Sequence, residues 1–215
     1  EAGQGWSKDH KIDAHIHISA LPRFYRKTEA EFTRVAYIKP EQKRVDYWRT
    51  WLSTLPKPWI GVSWQGGIQN TQKHLRTLKL EQLAPVLELP GSFIDLSYKD
   101  NSREVEAWND RGGSQIVRPK LDKDNYDDTL ALIAALDEVV TVTTAVVHAC
   151  GAMGRTCRVL VPEVPMWRYA YRCHEGMMWY PRGSIEMHRQ TPGEDWCMTI
   201  KRLAKSMKPR ILLAA

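Results

Sequence analysis

Residues 127–162 read DDTLALIAALDEVVTVTTAVVHACGAMGRTCRVLVP, and the fold turns on how this stretch divides. DDTLALIAAL (127–136) has an acidic start and an apolar body, which predicts a helix. DEVVTVT (137–143) is short and rich in β-branched residues, a strand. Two threonines interrupt the run, TAVVHACGAMG (144–154) predicts a second helix ending in glycine, and TCRVLVP (156–162) a second strand. Strands that are apolar throughout and alternate with helices belong in a parallel sheet covered on both faces.

The same alternation extends both ways. Upstream lie a strand WIGVSW (59–64), the loop QGGIQNTQK and a helix from Leu80 to Glu88 closed by Pro90-Gly91. Next come SFIDLSY (92–98) as a strand, SREVEAWNDR (102–111) as a helix with Ser102 as N-cap, Gly112-Gly113 as its stop, and the strand SQIVRP (114–119). Downstream, SIEMHR (184–189) is a short strand, and EDWCMTIKRLAKSM (194–207) places Trp196, Ile200, Leu203 and Met207 on one helical face. The first 57 residues read differently. KIDAHIHIS (11–19) alternates like a half-buried strand, EQKRVDYWRTWLSTL (41–55) predicts a helix, and Pro56 and Pro58 mark a break. The expected division is therefore 1–57, the end of a preceding domain with a connecting helix, and 58–215, an α/β domain.

The chain has 215 residues, 43% apolar and 26% charged, the balance of a globular protein with a real core. No apolar run is long enough to span a membrane. The N-terminus starts without Met and without a secretory signal, which suggests a piece of a longer chain. Cysteines at 150, 157, 173 and 197 form no C-x-x-C pair, consistent with a reducing cytoplasm. The net charge of +6 is spread among acidic residues without a dense basic tract. A nucleic-acid partner is not expected, whereas a phosphorylated small molecule suits that charge.

Ligands of open parallel sheets bind beyond the C-terminal strand ends, where loops feed helix starts. After the first strand, Gly66-Gly67 lets backbone N–H groups approach a ligand, with Lys73 and Arg76 just beyond; a plain flexible connection is the other reading. After DEVVTVT, Thr143 or Thr144 can cap the helix, Ala145 begins it, and His148 lies one turn from Thr144 on the same face. Unpaired N–H groups there favour a diphosphate, to which His148 would donate a hydrogen bond; an ordinary cap and a packed histidine make the alternative. Asp127, Asp128 and Thr129 are compatible with a ribose contact or with simple helix-start acidity. Nine tryptophans are many for this length. The loop holding Trp167, Arg168, Tyr169, Trp179 and Tyr180 either lines a cleft or packs on the core. His15 and His17 share a strand side but lack a third ligand, so no metal is expected.

Taken in order, PWIGVSWQGG, LRTLKLEQLAPVL, DDTLALIAALDEVVTVTTAVVHACGAMG, VPMWRYAYRCHEGMMWYPRGSIEMHRQ and EDW resemble the C-terminal half of bacterial glycosyltransferases that often follow tetratricopeptide repeats. These are similar to ADP-heptose heptosyltransferases and, more distantly, to O-linked N-acetylglucosamine transferases. The likeness covers residues 58–207, and DAHIHISALP resembles the exit from their N-terminal domain. It implies a GT-B architecture with a Rossmann-like domain over 58–215 that binds an ADP- or UDP-sugar without metal or other cofactor. Gly66, Gly67, Lys73, Arg76, Thr144, Ala145 and His148 would face the phosphates. Trp167, Arg168, Trp179 and Tyr180 would shape the donor side, and Asp128 and Thr129 would meet the nucleoside. Partners by the same resemblance are a glycan, lipid or protein acceptor and, in the parent protein, an N-terminal repeat domain. Heptosyltransferases carry Asp-Thr where this chain has Thr143-Thr144, and their base comes from the N-terminal domain. The resemblance therefore leaves the catalytic residue unknown here. A non-catalytic nucleotide-binding or protein-interaction module stands as the alternative.

Overall fold

A computed structural model describes residues 11–67, 73–122, 125–170 and 176–214. It divides the chain into two compact units, Glu1–Thr33 and Arg34–Ala215. In the first, a 3₁₀ turn (Ile18–Ala20) leads into helix α1 (Pro22–Tyr25), and a second 3₁₀ turn covers Glu29–Glu31. The strand expected at 11–19 does not form. His17 instead caps the first turn, its ring accepting from the Ser19 N–H at 3.3 Å, and Ile18 is 77% exposed. Alternation alone makes a strand only where a neighbouring strand takes up its backbone groups.

The second unit opens with α2 (Gln42–Leu52), then β1 (Trp59–Ser63), α3 (Lys73–Arg76), a 3₁₀ turn (Leu80–Leu83) and α4 (Ala84–Leu87). It continues with β2 (Ser92–Asp95), α5 (Ser102–Asn109), β3 (Ile116–Val117), α6 (Tyr126–Ala135), β4 (Glu138–Val142) and α7 (Ala145–Met153). β5 (Cys157–Val161), α8 (Trp167–Ala170), β6 (Ile185–Arg189) and α9 (Trp196–Ala214) complete it. All strand pairs are parallel, in the order β3-β2-β1-β4-β5-β6, with Gly61 opposite Val139 across the central pair.

The two faces of the strands build two cores. Val139, Cys157, Val159 and Val161 join α2, α6 and α7 on one face; Ile60, Val62, Val140 and Leu160 join the 3₁₀ turn, α4 and α9 on the other. Arg158 is the polar exception in β5. It is 1% exposed and bonds to Glu138, Glu186 and Ser206 at 2.9 Å each, which satisfies its charge beneath α9.

Several expected boundaries shift for local reasons. The predicted Leu80–Glu88 helix is a 3₁₀ turn (Leu80–Leu83) passing into α4 at Ala84. Asn101, not Ser102, is the N-cap of α5, and the Asp100 carboxylate accepts from the Ser102 N–H at 3.1 Å. The helix expected at 41–55 is α2, whose Val45, Trp48 and Leu52 lie in the core of the sheet-bearing unit. The compact unit thus begins at Arg34, and the proline break before β1 is internal to it. No described helix is long and apolar enough to cross a membrane.

Candidate functional site

β1 and β4 are adjacent at the centre of the sheet, and the chain order runs outward from them in opposite directions. The loops leaving their C-terminal ends therefore diverge and open a crevice between them. One loop carries Gly66 and Gly67; the other carries Thr143 and Thr144. They meet closely. A Cβ on Gly66 would lie 2.7 Å from Cγ2 of Thr144, and one on Gly67, whose φ is +78°, would fall on the Arg76 guanidinium. Glycine here permits both the backbone conformation and the approach.

Thr144 is the N-cap of α7, its hydroxyl accepting from the Val146 N–H at 3.2 Å. Ala145 and Val146, in the first turn at the positive end of the helix dipole, line the crevice beside it. Arg76, at the end of α3, is 8% exposed, and its Nη1 donates to the Thr143 carbonyl at 3.2 Å. Met166 Sδ lies 3.6 Å from Arg76 Nη1 and 3.3 Å from Arg168 Nη2, so one thioether spaces two guanidinium groups along the wall. Gly66, Gly67, Arg76, Thr144, Ala145 and Arg168 line a cavity of about 350 Å³, and none of its described lining residues is acidic. Two guanidinium groups and a helix start thus line the same cavity, a combination of the kind that attracts anions.

His148 also lines this cavity, but its nitrogens are committed. Nδ1 lies 2.7 Å from the Tyr180 hydroxyl and Nε2 3.3 Å from that of Tyr169. Burial, helped by the Arg168 charge, pushes its pKa down to about 4, so the ring is neutral near pH 7. The two ring nitrogens and the two hydroxyls form a tyrosine–histidine–tyrosine clamp, the packed arrangement given above as the alternative to a phosphate contact. Burial also raises the Tyr169 pKa, to about 12, and raises that of Tyr180. Both phenols stay protonated.

Leu96, Tyr98, Ala145 and Val146 line both this cavity and a neighbouring one of about 300 Å³. The second is largely apolar, with Pro119, Leu121 and Tyr126 in its wall, though Asp95, Arg118 and Lys120 also line it. Asp95 Oδ1 accepts from the Ser97 N–H at 2.8 Å, and Oδ2 faces Arg118 Nε at 3.0 Å. Burial raises the Asp95 pKa against the pull of those two partners.

Of the residues expected in the site, Gly66, Gly67, Arg76, Thr144, Ala145, His148 and Arg168 come together around the first cavity, and Thr129 lines the second. Asp128 does not join them. It is 3% exposed, and its Oδ1 accepts from Arg44 and, at 2.8 Å, from Trp48 Nε1, tying α6 to α2. Lys73 is not among the lining residues. Trp167 and Trp179 pack edge to face at 6.3 Å outside both cavities, and Tyr180 is buried behind His148. His15 and His17 are exposed, and no described group of three His, Cys, Asp or Glu residues is arranged to hold a metal. Tyr169, named in the aromatic loop as a cleft or core residue, lines the first cavity, and sequence reasoning missed Tyr98, Arg118 and Asp95. Only Asp95 had a local signal, an acid closing the second strand of a parallel sheet.

No family model matches the chain. It is 28% identical over 192 residues to Protein FlbA of Caulobacter vibrioides, a match covering 87% of this chain and 31% of that protein. Among solved structures it resembles a glycosyl transferase family 9 protein from Veillonella parvula, with a TM-score of 0.58 at 10% identity. It also resembles the E. coli ADP-heptose LPS heptosyltransferase II, with a TM-score of 0.54 at 15% identity. Each likeness covers 82% of this chain but only 53% and 54% of the respective structures. The chain thus spans about a third of the curated relative and half of each solved neighbour. The shared feature is the fold, a six-stranded parallel sheet flanked by helices as in GT-B glycosyltransferases.

Proposed function

We propose that this chain is the nucleotide-sugar-binding half of a GT-B glycosyltransferase, taking an ADP- or UDP-linked donor whose sugar passes to a cellular acceptor. The observation that carries the reading is the cavity where Arg76, Arg168 and the start of α7 converge at the β1/β4 crevice, with no acidic side chain among its described lining residues. In this reading the diphosphate occupies that cavity and the nucleoside occupies the adjoining apolar one. When the sugar–phosphate bond breaks, negative charge grows on the departing diphosphate, and cations already in place stabilise it without reorganising. Two guanidinium groups and a helix start supply that compensation from the chain itself, which supports transfer without a metal. Among the described residues lining the two cavities the one carboxylate is Asp95, and it is tied to Ser97 and Arg118, so we assign the acceptor-activating base elsewhere.

A second reading, a nucleotide-binding module without transfer, is favoured by Thr143 standing where the resemblance implies an aspartate. Sugar transfer by the parent protein decides between them. The binding step common to both is tested by calorimetry and thermal shift with ADP, UDP and their sugars. Near a hundredfold excess over Kd, the right ligand stabilises the fold by about 2.7 kcal/mol. A chain that binds none of the panel overturns the proposal.

A further inference from the structure

The loop from Trp64 to Leu80 carries both Gly66-Gly67 and Arg76, yet its neck is fastened by a residue from another part of the chain. Glu104, in the first turn of α5, directs both carboxylate oxygens at that neck. Oε2 accepts from the Trp64 indole N–H at 2.9 Å and the Gln65 side-chain amide at 3.1 Å; Oε1 accepts from the Leu80 backbone N–H at 2.8 Å. The two ends also meet directly. Leu78 N–H donates to the Trp64 carbonyl at 2.9 Å, and the Thr77 hydroxyl donates to the Gly66 carbonyl at 3.2 Å. Trp64 is fully buried, so its indole N–H has no access to water if Glu104 is lost.

Resting on the proposed diphosphate seat, we propose that Glu104 is a positioning residue for that seat: its carboxylate closes the loop neck and so fixes where Arg76 and the glycine bend stand. Glu104 does not line the cavity, and it acts through the loop. Three donors converging on one carboxylate suit no other side chain. Glutamine can accept at one end only and must turn its NH₂ toward a donor at the other. Glu104→Gln therefore opens one arm of the clasp while keeping size and packing.

The test is a double-substitution cycle on the full 215-residue chain, read as calorimetric Kd for ADP and UDP. Glu104→Gln is expected to weaken binding about tenfold in the parent chain, the scale of one charge-assisted hydrogen bond. In an Arg76→Ala background the same change should cost less than about twofold, because the group it positions is gone. Inorganic pyrophosphate should show the same loss, while adenosine and uridine should bind both chains alike. Full additivity of the two substitutions, or an equal loss for the nucleosides, makes Glu104 a stability residue only and overturns the inference. If the parent chain binds no nucleotide, the proposed function fails and this inference fails with it.

Discussion

A neutral imidazole carries one proton for two nitrogens, so of the two phenols at His148 one donates and the other accepts. That pairing holds α8 against α7 through Tyr169, and Tyr180 closes it from behind, its ring so near Gly151 that a Cβ there would overlap it. The consequence for pH follows from the depressed pKa. In the unfolded chain His148 takes a proton near 6.5; in the folded chain it does so only near 4. The neutral clamp thus contributes fully above about pH 6.5, and its contribution is lost as pH falls from there toward 4. His148→Gln, which can still donate to one phenol and accept from the other, removes the titration and little else. Melting curves from about pH 7 to 4 should show the parent chain losing stability faster than the variant, with the difference confined to that window. Parallel curves would mean that His148 titrates normally. On sequence alone, a histidine one turn into a helix reads equally as a donor to phosphate and as a packed side chain. Its neutrality depends on Tyr169, Tyr180 and Arg168, which lie far along the chain and leave no local trace.

The elements carrying the site were legible to different degrees, for physical reasons. β1, β4, β5 and α7 are long apolar or capped segments whose pattern survives in any surroundings, and they stand where periodicity placed them. β3 shrinks to Ile116–Val117 because an edge strand has one neighbour only. The KIDAHIHIS segment finds no partner strand and stays irregular. Asp128 read as a ribose ligand because acids at helix starts look alike; Arg44 and Trp48 consume it instead. The meeting of the β1 and β4 loops, by contrast, makes a direct prediction. Gly66→Ala should press the two loops apart against the Thr144 methyl, destabilising the chain by about 1–3 kcal/mol and weakening nucleotide diphosphate binding. Adding Thr144→Ser removes that methyl while retaining a capping hydroxyl, and should restore much of both losses. Urea unfolding and calorimetry on the pair check this. A double variant no better than Gly66→Ala would show that the contact does not set the loop spacing.

At the scale of the sheet-bearing unit, one strand order accounts for where both cavities lie. With β1 and β4 central and the crossovers diverging, the crevice can open only above their C-terminal ends, and both cavities lie there side by side. One face of the sheet is covered by α9, which lies over the Arg158 network. The most direct measurement is a crystal structure of the chain with ADP or UDP. The diphosphate should lie between the Gly66-Gly67 bend and the N-terminus of α7, contacting Arg76 and Arg168, with the base in the apolar cavity beside Tyr98. Ligand found at any other place, or with its phosphates turned away from both arginines, would contradict the account.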